Sequence, residues 1–211
     1  AYAVDDVGRR FYTIYFKNLK TQEVLKDKIA DVTGNWVWAT DSIGFYSYQH
    51  RETLRSERIF RYDLQKKKSV EVFYEKDETF NVGIGKSLND KTLLIDTGST
   101  DSSEVHYLAA NNPEGEFKVF LKREKKHEYG VFDGGDAFYI LTNWKAKNFR
   151  LMKTPYENTA KSQWRDVIPH RESVFIEGLV VFKNFIAAEV RTKGLTQIEL
   201  RDRKTKKISH I

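Results

Sequence analysis

Cysteine is absent from all 211 residues, so disulfide staples and thiolate metal sites are excluded. The redox compartment stays open, and a cytoplasmic location is the expectation. No apolar run approaches the ~20 residues needed to cross a bilayer, and no secretory signal pattern is present, so no membrane association is expected. A sustained 3.6-residue apolar period is missing as well, which argues against long helices. Only residues 52–58 read as a helical turn, and a polar loop explains them equally well. Gly-x-Ser-x-Gly does not occur, so the sequence offers no nucleophile elbow for a serine hydrolase. The five histidines, His50, His106, His127, His170 and His210, are too far apart in sequence for a metal pair and read mostly as surface or strand-end residues. No cofactor, metal or catalytic residue is expected.

What is present is enough apolar material to fold: 40% hydrophobic and 14% aromatic residues against 31% charged. A chain this long buries roughly 70% of its unfolded surface, so residues 1–211 suffice for one domain. The net charge of +6 gathers at residues 66–68, 122–127 and 201–207, each cluster between or just after apolar runs. Solvated turns between strands account for them. Nucleic-acid binding, which needs such patches on one face, is not expected from this pattern.

Strand signals fill the chain: short runs of Val, Ile, Phe, Tyr and Thr separated by Gly, Asn, Asp and Lys. They fall into quartets at 35–39, 43–50, 58–64 and 70–75; 80–86, 92–97, 104–109 and 117–122; 128–132, 137–143, 149–155 and 164–168; and 173–182, 185–191, 196–202 and 207–211. The second strands start 49, 45 and 48 residues apart, within the ~40–50 residues of a four-stranded propeller blade. Three further strands at 1–5, 11–16 and 24–29 make a first blade without its innermost strand. The sequence opens and closes inside strands, which reads as a piece cut from a larger ring. Residues 11–16 and 138–141 are apolar on both faces, as interior strands between packed sheets should be. Residues 196–203 alternate, with Ile198 and Leu200 set inward against Gln197, Glu199 and Arg201. The predicted fold is all-β, a β-propeller fragment of about five blades; a β-sandwich or a pair of barrels is the competing arrangement.

Local motifs add little chemistry. Gly83-Ile-Gly-Lys-Ser87 ends like a phosphate-binding loop, but Phe80 stands where the first glycine is required, and the segment reads as strand into turn. Asp133 and Asp136 flank Gly134-Gly135 and form a turn more readily than an acid pair. Asp77-Glu78 reads as a connection between blades. In Asn111-Asn-Pro-Glu-Gly115 proline fixes φ and glycine is expected to supply a positive one. Gly8-Arg9-Arg10 differs in kind, because two adjacent guanidinium groups at a strand start can hold a peptide carboxylate bidentately. An exposed turn is the alternative.

Gly8-Arg-Arg-Phe-Tyr-Thr13, Thr53-Leu-Arg-Ser-Glu57, Tyr74-Glu-Lys-Asp77, Ser102-Ser-Glu-Val105, Asn112-Pro-Glu-Gly-Glu-Phe117, His127-Glu-Tyr129 and Lys147-Asn-Phe149 occur in one collinear order. With Ile168-Pro-His-Arg171 and Gly194-Leu195, they resemble the oligopeptidase B branch of the prolyl oligopeptidase family over essentially the whole chain. The resemblance implies a serine peptidase in which a seven-bladed propeller caps an α/β-hydrolase domain and limits access to short peptides, with cleavage after lysine or arginine. That hydrolase domain would be the partner of these blades, and its triad is not among the residues here. The second arginine of the motif, Arg10, with Arg9 beside it, is implied to face the substrate cavity. Short basic peptides are the implied ligands, and exposed blade faces imply self-association. A free-standing propeller that binds an acidic partner or nucleic acid is the other functional reading.

Overall fold

The computed structural model describes residues 1–211, which form nineteen strands and one 3₁₀ turn. A three-stranded sheet comes first, with β1 (Tyr2–Val4), β2 (Tyr12–Lys17) and β3 (Val24–Val32). Four four-stranded sheets follow. They comprise β4 (Trp36–Trp38), β5 (Ile43–Gln49), β6 (Ser56–Asp63) and β7 (Lys68–Tyr74); then β8 (Asn81–Lys86), β9 (Thr92–Gly98), β10 (Ser103–Ala109) and β11 (Lys118–Leu121). The fourth sheet holds β12 (Tyr129–Asp133), β13 (Phe138–Thr142), β14 (Arg150–Thr154) and β15 (Arg165–Ile168). The fifth holds β16 (Val174–Val181), β17 (Phe185–Thr192), β18 (Leu195–Asp202) and β19 (Ile208–His210).

Within every sheet the strands lie side by side in chain order, the meander of a propeller blade. All expected strands are present with ends displaced by a few residues, and the second strands of the complete sheets begin 49, 46 and 47 residues apart. The helical reading of 52–58 is overturned: residues 51–53 are a turn, and β6 begins at Ser56 because Ser56 pairs with Gln49. The helical element is instead Lys161–Gln163, between β14 and β15.

The chain divides into two compact units, one of Ala1–Lys86, Leu93–Thr100 and His106–Lys118, the other of Ser87–Thr92, Asp101–Val105 and Val119–Ile211. In the first unit Ile14, Phe16, Val32, Tyr46 and Tyr62 join the first two sheets face to face. Phe16 stacks on Tyr62 at 5.6 Å and meets Trp36 edge-on at 4.9 Å, contacts worth about 0.5–1.5 kcal/mol each beyond area burial. Trp36 fits because Gly44 opposite it has no side chain; a Cβ there would lie 2.1 Å from the indole. A second cluster, including Phe45, Ile59, Ile84, Leu93 and Ile95, joins the next pair of sheets. In the second unit Tyr139, Leu141, Leu151, Ile176, Ile186 and Val190 do the same for the last two. Burial of both faces explains the unbroken apolar run 138–141.

β18 reverses the expected facing. Glu199 is buried and Ile198 is 43% exposed. The cause lies outside the strand: Arg171 grips Glu199 through two parallel bonds, Nη1 to Oε1 at 2.8 Å and Nη2 to Oε2 at 2.9 Å, so a carboxylate occupies an inward position with its charge matched. Gly115 is also not at positive φ. A side chain there would be crowded, since a Cβ would stand 2.7 Å from Asn112 Nδ2, 3.1 Å from Leu108 Cδ1 and 3.2 Å from the Asn112 carbonyl oxygen.

Candidate functional site

The turn between β1 and β2 is built on one carboxylate. Asp5 Oδ1 accepts backbone N–H bonds from Val7, Gly8 and Arg9, and Oδ2 accepts one from Arg10 at 2.7 Å. Desolvation pushes the Asp5 carboxyl up, but the four amide donors together outweigh it and hold it below the usual range. Gly8 and Arg10 both take positive φ, 72° and 63°, which closes the turn. The Arg10 carbonyl then accepts a bond from the buried Gln49 side chain at 2.5 Å, which fixes the turn to β5. All this bonding uses the backbone. The guanidinium groups of Arg9 and Arg10 stand exposed, with no ion pair or side-chain hydrogen bond. The geometry is a rigid turn that presents two free cations.

A second arginine-bearing layer lies wholly within the second unit. The turn joining β12 to β13 contains Asp133, Gly134, Gly135 and Asp136. Asp133 is buried and accepts from Thr92 Oγ1 at 2.6 Å, from the Gly135 amide at 2.8 Å and from the Tyr156 hydroxyl. Burial raises its carboxyl, yet these donors hold it below the usual range, and the same contact with burial drives the Tyr156 phenol upward. Gly135 needs its positive φ of 83°, and Gly134 makes room for the Tyr139 ring, 2.3 Å from where a Cβ would sit. Arg203, in the turn after β18, donates Nη1 to the carbonyls of Gly134, Phe182 and Lys183, and Nη2 to Asp136 and the Tyr139 hydroxyl. Around these turns is a pocket of about 480 Å³ lined by Leu88, Lys91, Val181, Phe182 and Lys183 among others. Its acids and its arginine are already bonded, so the layer ties hairpins together and keeps no free acid–base pair.

The sequence reading therefore missed Asp133 as a hub and placed Arg203 in a solvated turn. Thr92 and Tyr156, which complete the hub, lie 41 and 23 residues away. The other basic clusters are partly neutralised: Lys66 pairs with Asp63 and Glu114, Lys67 with Asp27, and Arg123 with Glu104. Gly83 to Lys86 lies in strand β8, not in a phosphate loop.

A hydroxyl–imidazole contact exists where His127 Nε2 meets Thr142 Oγ1 at 2.9 Å, but both groups are buried. His127 Nδ1 has no acid to orient it, and burial, aided by the Lys161 charge, pushes the imidazole down to about 4. It packs against Tyr129 and Trp164 as a core residue. No group of three or more His, Cys, Asp or Glu side chains gathers to hold a metal ion, and no helix is long and apolar enough to cross a membrane.

Comparison with known proteins gives a consistent result. The family described as "Prolyl oligopeptidase, N-terminal beta-propeller domain" matches residues 1–211. Dipeptidyl aminopeptidase BI of Pseudoxanthomonas mexicana is 38% identical over 204 residues, covering 95% of this chain and 28% of that protein. Protease 2 of Moraxella lacunata is 28% identical, covering 94% of this chain and 29% of its own length. Among solved structures, oligopeptidase B from Leishmania major superposes with a TM-score of 0.87 at 28% identity, over 99% of this chain and 31% of that one. The chain thus spans less than a third of the length of each of these relatives.

Proposed function

The chain belongs to the prolyl oligopeptidase N-terminal β-propeller family, and on that premise we propose that it is the non-catalytic, substrate-gating part of a longer serine peptidase. Its partner is an α/β-hydrolase domain of the same polypeptide, which supplies the triad. The propeller blades form a wall that admits short peptides and excludes folded proteins. The parent acts in the cytoplasm and cleaves after lysine or arginine. The observation that carries the reading is the family match along every residue of a chain that holds no assembled nucleophile, base and acid.

Arg9 and Arg10 are the substrate-facing residues in this proposal. They are the free cations of a turn whose backbone is held by Asp5 and Gln49, and they would receive a peptide carboxylate. The gating role is tested in the full-length parent with one cleavable bond placed in peptides of increasing length. Turnover should collapse once the peptide exceeds a few tens of residues, and removal of the propeller should abolish that length limit. Equal turnover of a folded protein and a short peptide would reject gating.

A second reading concerns the mode of cleavage, and the higher identity to a dipeptidyl aminopeptidase favours it. In that case the parent releases dipeptides from the amino terminus rather than cutting internally. Mass analysis of the first products from a hexapeptide with a central arginine separates the two. For the chain by itself we propose self-association through the last sheet. Phe175, Val180 and Phe185 are exposed there, and such a face tends to find cover. A monomer at high concentration by light scattering would contradict this.

A further inference from the structure

The pocket beside the Asp133 hub is lined by three neighbouring turns and by Arg203, all within the second unit. Asn89, in the turn between β8 and β9, donates Nδ2 to the Asp133 carbonyl at 3.4 Å. Arg203 ties the Gly134 carbonyl to those of Phe182 and Lys183, in the turn between β16 and β17. The β12–β13 turn is thus fixed to a neighbour on each flank, and the cavity it floors is preformed. Its volume of about 480 Å³ falls within the ~300–1,000 Å³ of small-molecule sites.

The charged groups of the lining divide into those already engaged and those that are not. Both carboxylates are engaged, Asp133 by Thr92, Tyr156 and the Gly135 amide, Asp136 by Arg203. Arg203 is engaged in turn by Asp136, three carbonyls and the Tyr139 hydroxyl. What remains is positive. The ammonium groups of Lys91 and Lys183, one from each flanking turn, are exposed and hold no hydrogen bond or ion pair. A cation entering here would meet two free ammonium groups and no free carboxylate, so the charges admit an anion.

Carbon surface lies beside those charges. Phe182 lines the pocket with its ring held by stacking on Phe185 at 4.5 Å, Val181 joins it, and Leu88 stands 60% exposed. Gly135, at φ 83°, keeps the floor open, since only Asn89 Nδ2, at 3.8 Å, comes within 4 Å of where its Cβ would be. A bare inorganic anion would leave this apolar lining wet. A ligand with an apolar body covers it.

We propose that this pocket binds a small organic carboxylate with a flat apolar body. The Lys91 and Lys183 ammonium groups take the carboxylate through charge-assisted hydrogen bonds, and the body lies against Phe182 and Leu88. The site is a property of this chain and does not depend on a catalytic domain.

The test is an NMR titration of the 211-residue chain with naphthoate. Naphthylmethanol, which keeps the body and lacks the charge, and acetate, which keeps the charge and lacks the body, are the comparison compounds. Naphthoate should shift the amides of Leu88, Gly135 and Lys183 in a saturable way, and both comparison compounds should bind roughly tenfold more weakly or worse. The double variant Lys91→Gln/Lys183→Gln should weaken naphthoate roughly tenfold and leave naphthylmethanol unchanged. Leu88→Asn should weaken both naphthyl compounds several-fold. All three substitutions are at exposed positions, so the fold is kept and charge and body are read separately. Equal affinity for naphthoate and either comparison compound, or naphthoate affinity unchanged in the double lysine variant or in Leu88→Asn, or shifts confined to another face, would overturn the proposal.

Discussion

At the Asp5–Arg10 turn the carboxylate is committed to the backbone and both arginine side chains are left to solvent. In the turn layer of the second unit the arrangement is the opposite: Arg203 binds three carbonyls, a carboxylate and a phenol, and Asp133 accepts from three donors. Both regions are short polar turns rich in Asp, Gly and Arg. They differ in whether their polar groups are used up. A saturated group stabilises the fold, and its removal leaves buried partners unsatisfied; an unsaturated group can be removed at little cost and is free to meet a ligand.

The contrast is sharpest at the most buried ion pair of the second unit. Arg171→Ala leaves Glu199 enclosed without its fork, and the variant should lose roughly 3–5 kcal/mol in denaturant unfolding. A loss under about 1 kcal/mol would show that saturated and free arginines are energetically alike.

Acid should act on the same unit. His127 is held at about 4 by burial, well below its ordinary 6.5, so the folded state binds fewer protons than the unfolded one between those values. The stabilisation is complete above about pH 6.5 and is lost as pH falls toward 4, by about 3 kcal/mol. His127→Gln should flatten that part of the stability–pH curve, and an unchanged slope would assign it elsewhere. Asp133→Asn, which weakens the hub without emptying it, should cost about 2 kcal/mol in the same unfolding assay. The smallest effect belongs to the other turn. Arg9→Ala and Arg10→Ala should each change stability by no more than about 0.5 kcal/mol, since neither side chain holds a partner.

The strands and their quartet spacing were legible because they depend on local signals, apolar runs punctuated by turn residues. So was the exposure of Arg9 and Arg10, which follows from their place beside Gly8 ahead of an apolar strand. The polarity of β18 was not legible: Glu199 looks outward by alternation, and Arg171, which permits its burial, is 28 residues distant. The Asp133 hub failed to show for the same reason, its hydroxyl donors coming from other hairpins. Gly115 looked like a φ requirement and proved to be a packing one. Local pattern reports which face a residue prefers; it does not report a distant partner that overrides the preference.

The account turns on the claim that Arg9 and Arg10 are free because they serve a ligand. The direct measurement is KM in the full-length parent for a short peptide as its free acid and as its amide, in wild type and in the Arg9→Ala/Arg10→Ala double variant. The account predicts that the double variant raises KM for the free acid about tenfold or more and leaves the amide unchanged, with thermal stability intact. Equal KM values for acid and amide in both proteins would contradict it.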